Sequence, residues 1–174
     1  MIKSIYLHGI IFNICWLFAI PLQMPLISVV VFLLWSFIIT TKAEEWFYIA
    51  IVALLGLTVD SFFVKIQWLN FESELLVNIL PFWLLAVWLA FAKFSYHWFE
   101  NIKLSVPVYV VLFAILGPVN YFAGGSITSS EINWQQYHFT SMFVIWWSLL
   151  PLLCLFIKHK IDVRLRNNHT DALL

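Results

Sequence analysis

The sequence predicts an all-α fold: a polytopic bundle of six transmembrane helices with both termini on the cytoplasmic side. Three observations carry this. First, 63% of the 174 residues are hydrophobic and only 10% are charged, with a mean hydropathy of +0.94. A water-soluble domain of this length needs far more charge to cover its surface. Second, apolar runs recur at 4–22, 24–41, 46–66, 79–98, 105–124 and 139–158, each long enough, at about 1.5 Å per residue, to cross roughly 30 Å of hydrocarbon. Third, the basic residues segregate. Six spans place the termini and the second and fourth connections on one side. That side holds Lys3, Lys42, Lys93, Lys103, Lys158, Lys160, Arg164 and Arg166, eight of the nine Lys and Arg, and leaves Lys65 alone opposite. Positive charge marks the cytoplasmic face. The whole chain, 1–174, reads as a single transmembrane helical domain.

The first run is too long for a signal peptide, carries His8 and Asn13, and is followed by no small-residue cleavage site, so it reads as a helix. His8 and Asn13 are expected to hydrogen-bond across the bundle. Pro21 and Pro25 flank the turn that makes runs one and two a hairpin. The connections at 42–45 and 99–104 are short, whereas those at 67–78 and 125–138 are longer than a link requires. The first long one mixes Trp68, Leu69, Phe71, Leu75 and Leu76 with Asn70, Glu72 and Glu74, which suggests an interfacial half-helix. Long connections often carry function, so the outer face is favoured for a site.

In run four, Ala86 and Ala90 offer a small-xxx-small seam for close helix approach. Lys93, His97 and Glu100 share one face further along and read as a charged stripe snorkelling to the inner interface. His97 is a secondary candidate there, for a proton or a headgroup phosphate. The basic tail after Lys158 reads as stop-transfer charge. Cys15 and Cys154 lie at different depths and read as buried, reduced thiols. Zero net charge recruits no nucleic acid. No ligand spacing suggests a metal, and no glycine-rich loop suggests a phosphate cofactor; none is expected. Ser61 beside Asp60, with His138 in the loop, lacks the strand elbow of a hydrolase nucleophile.

Asp60 interrupts the third run. A carboxylate at that depth costs about 2.5–3.5 kcal/mol on insertion scales, so the chain must pair it, protonate it or use it. It lies six residues from the outer end, about 9 Å in. Gly117, Pro118, Asn120 and Tyr121 fall at a similar depth in run five, and Trp83 and Trp88 in the outer half of run four. Pro118 frees a backbone carbonyl that needs a partner. Depth therefore assembles a candidate ligand site in which Asp60, Asn120 and Tyr121 supply polar contacts and Trp83 and Trp88 the walls. The competing reading is helix glue, with Asp60 bonding only to neighbouring helices.

Gly-Leu-Thr-Val-Asp-Ser at 56–61, the stretch 81–92 with His97 beyond it, Gly-Pro-Val-Asn-Tyr-Phe-Ala-Gly at 117–124, and Asn13 with Trp16 together resemble a family of small bacterial inner-membrane proteins. That family bears only a domain-of-unknown-function label. The resemblance implies a multi-pass protein of the bacterial inner membrane that accompanies lipid- or fatty-acid-modifying enzymes. The chain departs from the pattern at Lys93, where a small or uncharged polar residue is expected. The sequence thus points to a protein that binds or handles a lipid-like or amphipathic molecule in the outer half of the bilayer. Its expected partners are membrane lipid and a lipid-modifying enzyme or another membrane subunit. The alternatives are a non-catalytic scaffold for such an enzyme and, at lower weight, a membrane-embedded enzyme using Asp60 as acid or base. Whether any reaction is catalysed stays open. A polar cavity open laterally or outward would mark the handler; a closed core with an exposed face of small residues would mark the scaffold.

Overall fold

The computed structural model describes residues 2–39, 41–70, 75–76, 80–128, 131–132 and 137–171. Among them are six helices: α1 (Ile2–Ala19), α2 (Pro25–Ile38), α3 (Ala43–Lys65), α4 (Phe82–Asn101), α5 (Val106–Thr128) and α6 (Tyr137–Asp171). Four two-residue strands, β1 (Leu69–Asn70), β2 (Leu75–Leu76), β3 (Leu80–Pro81) and β4 (Glu131–Ile132), pair antiparallel as β1 with β4 and β2 with β3.

Local chemistry sets the ends. Gln23 takes a left-handed conformation (φ 50°) in the α1–α2 turn, and Pro25 opens α2, where its missing N–H forfeits no intrahelical bond. Glu44 and Glu45 occupy the first turn of α3 and Lys65 its last, the arrangement that complements the helix dipole. Beyond α3 the chain turns through Gln67 (φ 60°), and the Trp68 amide returns to the Phe63 carbonyl at 2.9 Å. Between α4 and α5, the Tyr109 hydroxyl bonds the Ile102 carbonyl and accepts from the Leu104 amide, fixing that link.

Helix α4 is central and packs on α1, α2 and α3, whereas α5 lies along α6. Ala86, Ala90 and Ala92 are fully buried, so the small side chains of α4 do admit close neighbours. The outer surface is apolar, with Phe37 86% exposed and Leu26, Ile38 and Leu54 close behind. Three helices, α3, α5 and residues 138–164 of α6, are long and apolar enough to cross a membrane. The second run is shorter than its hydropathy suggested. Its helix has 14 residues, about 21 Å by rise per residue.

The 67–78 connection is not a half-helix where it is described: Leu69–Asn70 lies in β1, against β4 of the other long connection. Residues 71–74 and 77–79 lie outside the described residues. The basic tail continues α6 instead of ending it. Cys15 and Cys154 are both free and buried.

Candidate functional site

The site begins with spacing. Gly56 and Asp60 stand four residues apart on α3, hence on one face; Gly117 and Tyr121 repeat the arrangement on α5. Each glycine seats an indole. A Cβ at Gly56 would collide with the ring of Trp88 from α4, and one at Gly117 with the ring of Trp147 from α6. The two indoles stack on each other, with centroids 5.9 Å apart and planes 12° apart. Seated this way, Trp88 donates its Nε1–H to Asp60 Oδ2 at 2.6 Å, and Tyr121 donates its hydroxyl to the same oxygen at 2.5 Å. Tyr121 also meets Trp147 and Phe143 edge-on.

Asp60 is 0% exposed, and its Oδ1 has no hydrogen-bond partner. Because Oδ2 receives two donors, any proton on the carboxyl group must sit on Oδ1. Four elements thus converge on one carboxyl group: α3 carries it, α4 and α5 supply its donors, and α6 wedges the donors in place.

The glycines make a direct prediction. Gly117→Ala forces a methyl group into the Trp147 ring, which has a helix behind it, so the variant should lose about 1–3 kcal/mol, the usual cost of overpacking. Gly9→Ala is the control, because a Cβ there would meet Phe94 at an ordinary 3.6 Å. Thermal unfolding in detergent should separate the two; equal stability would show that the indole is not held against α5.

Beside Trp88 and Tyr121 lies a cavity of about 160 Å³, between the α1–α4 face and α5. Its walls are chiefly aromatic, among them Trp16, Phe91, Trp98, Phe113 and Trp147. Asp60 is not a wall; it holds two wall residues in place. Along α4 the cavity reaches from Trp88, beside Tyr121, to Trp98, ten residues or about 15 Å of rise. It therefore extends past the depth of Asp60 towards the end where Lys42, Lys103 and Lys158 gather. A shallow apolar groove of about 650 Å³ along α1, lined by Gly9, Asn13 and Leu17, shares Phe94 and Trp98 with it.

Of the residues chosen from sequence, Asp60, Trp88 and Tyr121 meet. Asn120 does not join them. It lies exposed on α5 and donates to the Leu116 carbonyl at 2.7 Å, within the turn that Pro118 occupies, and it lines the cavity without touching Asp60. Trp83 is buried but does not line the cavity. Asn13 likewise bonds within its own helix, to the Gly9 carbonyl. Ser61 donates one turn back to Leu57, which gives no nucleophile geometry. Trp147 and the seating role of the two glycines were missed, although a glycine one turn before Asp60, and another before Tyr121, was a readable signal.

The stripe on α4 needs a larger correction. Lys93 does not snorkel: it is 0% exposed and donates to Glu45 Oε1 and Thr41 Oγ1, each at 2.6 Å. His97 Nε2 meets the same Glu45 oxygen at 2.9 Å, and its ring stacks on His8 at 3.6 Å. Trp35 donates to His8 Nδ1 at 3.1 Å. Since an indole only donates, any proton on the His8 ring sits on Nε2. The physical reason is the position of α4: with α1, α2 and α3 packed around it, the Lys93 stem has no lipid-facing surface to climb. His8 therefore does bond across the bundle, and His97 belongs to a largely buried network that opens to the surface at Glu100, 3.7 Å from its Nδ1 and 53% exposed.

Residues 5–153 match the family described as protein of unknown function (DUF2878). No curated protein and no solved structure matches the chain.

Proposed function

Because the chain belongs to the DUF2878 family, whose function is unknown, its activity has to be read from its own geometry, and we infer that it binds a lipid-like molecule within the membrane. The observation that supports this is the aromatic cavity of about 160 Å³ beside the Asp60 triad. An apolar cavity of about that size, 150 Å³, stays dry and takes up a small apolar molecule. Largely preformed, apolar pockets with a few convergent polar groups are the usual form of a small-molecule site.

In this reading all six helices lie in a bacterial inner membrane, both termini are cytoplasmic, and the triad faces the outer half. Asp60 acts as a positioning residue: it fixes the angles of Trp88 and Tyr121, and those two side chains touch the ligand. Membrane lipid is the partner. A scaffold would turn its small residues outward, but Ala86 and Ala90 are consumed inside the bundle. An acid or base role for Asp60 is disfavoured because Trp88 and Tyr121 stand between it and the cavity.

Mass spectrometry of material co-purifying with the protein tests the reading. One lipid class should survive detergent washing at near-equimolar ratio. Retention of bulk phospholipid alone, in proportion to its membrane abundance, would sink the idea.

A further inference from the structure

The direction in which a lipid lies follows from where the cavity is closed and where it continues, an inference that rests on the lipid-binding reading. The end at the Asp60 triad is closed. Among the described residues no wall residue lies beyond Val87 on α4, Tyr121 on α5 or Trp16 on α1. Past that level the end of α1 meets α5: Ile20 is 4% exposed, and a Cβ at Gly124 would stand 3.5 Å from its Cδ1. The opposite end continues. Past Phe94 and Trp98 the cavity joins the α1 groove, which runs on to Ile5 and Ile102, one residue short of Lys103. Leu116, a wall residue that is 50% exposed, opens the cavity sideways to the membrane.

The closed end offers little but hydrocarbon. The Trp88 indole N–H and the Tyr121 hydroxyl are spent on Asp60, which is fully buried, so these two residues turn ring carbon to the cavity. Ser95 is engaged with the Ala92 carbonyl and Tyr48, and Asn120 with the Leu116 carbonyl. No Lys, Arg, His, Asp or Glu lines the cavity or the groove. A phosphate, carboxylate or ammonium group would stand in either without a counter-charge, so a charged head stays outside. An alkyl chain needs no polar partner, gains dispersion contacts from the aromatic walls, and is slender enough to pass from groove to cavity.

We propose that the occupant is a lipid of the leaflet on the Lys103 side, which is cytoplasmic in the reading above. Its alkyl chain runs along the α1 groove into the aromatic cavity and ends against Trp88 and Tyr121, with the charged head left near Lys103. The Asp60 triad is then a stop that sets how long a chain fits, and not a site for the head.

The test uses the full chain in phosphatidylcholine nanodiscs doped with one of two phosphatidylcholine probes. One carries a diazirine near the ester of an acyl chain, the other at the far end of the same chain, and photolabelled residues are located by mass spectrometry. At the depth of the triad, the far-end probe should label Trp88, Tyr121 or Trp147. The near-ester probe should label Val119 and Phe122, exposed on α5 at the same depth, through lipid of the opposite leaflet, and should reach the inner wall at Trp98 and Ile102. Triad residues labelled by the near-ester probe in preference to the far-end one would overturn the direction and leave lipid binding standing. Labelling confined to exposed residues such as Val119 and Phe122, with no wall residue modified by either probe, would overturn both. Val87 lines the closed end, so Val87→Phe should shift the lipids retained from a pool of mixed chain lengths towards shorter chains, and Val87→Ala towards longer ones. Should Val87→Phe fail to fold, Val87→Ala decides alone; an unchanged distribution in the folded variants would overturn the stop.

Discussion

Lys93→Met should destabilise the protein by roughly 3–5 kcal/mol, the effect of removing one partner from a buried ion pair. The loss comes from what is left behind. Glu45, 4% exposed, would keep its carboxylate among α1, α2 and α4 with His97 as its remaining ionisable partner. Methionine approximates the length and flexibility of the lysine stem, so lost packing contributes little. The double variant Lys93→Met/Glu45→Gln should recover most of the stability, because a buried pair replaced by neutral groups of similar volume is often tolerated without penalty. The amide keeps an acceptor for His97. Equilibrium unfolding in mixed micelles gives both numbers. If the single variant matches wild type, or the double variant is worse than the single, the network is not a desolvated ion pair.

That network shows where sequence reading stops. Helices α1, α3, α4, α5 and α6 fall on the apolar runs that length singled out, although α6 continues past its run to Asp171. The burial of Lys93 did not follow, because it depends on Glu45, 48 residues away, and on which side of α4 its neighbours cover. Spacing along one helix shows that Lys93, His97 and Glu100 share a face; it does not show whether that face meets lipid or protein. The Asp60 site divides the same way. Depth, available from rise per residue, brought Asp60, Trp88 and Tyr121 to one level. Rotation decided between Asn120 and Tyr121, which adjoin in sequence but point about 100° apart around the helix, and only packing fixes rotation. The glycines lay between these cases. Their four-residue spacing to Asp60 and Tyr121 was visible, but the indoles they admit come from other helices. The 67–78 connection misled because its mixture of apolar and acidic residues is compatible with an interfacial helix and with short paired strands alike.

Substitutions at Asp60 should separate its structural part from its role beside the cavity. Asp60→Asn keeps an acceptor where Oδ2 receives Trp88 and Tyr121, and replaces the unpartnered Oδ1 by an amide NH₂. Stability should change by less than about 1 kcal/mol, since one unsatisfied atom is exchanged for another and both cross-helix bonds survive. Asp60→Leu removes the acceptor altogether. Two buried donors, one indole N–H and one phenol O–H, then lose their partner. Hydrogen bonds between membrane helices average about 0.6 kcal/mol with a maximum near 1.7, so the pair should cost about 1–3 kcal/mol. The more telling effect is on geometry. Without the carboxyl group, nothing polar holds the Trp88 ring over Gly56 or directs the Tyr121 ring towards Trp147, and the cavity wall they form should loosen. Retention of co-purifying lipid should therefore fall in Asp60→Leu and persist in Asp60→Asn, with near-ultraviolet circular dichroism of the stacked indoles falling in parallel. A lipid content that drops in Asp60→Asn while the dichroism holds would give the carboxylate a direct role in binding. Both signals unchanged in Asp60→Leu would remove Asp60 from the site.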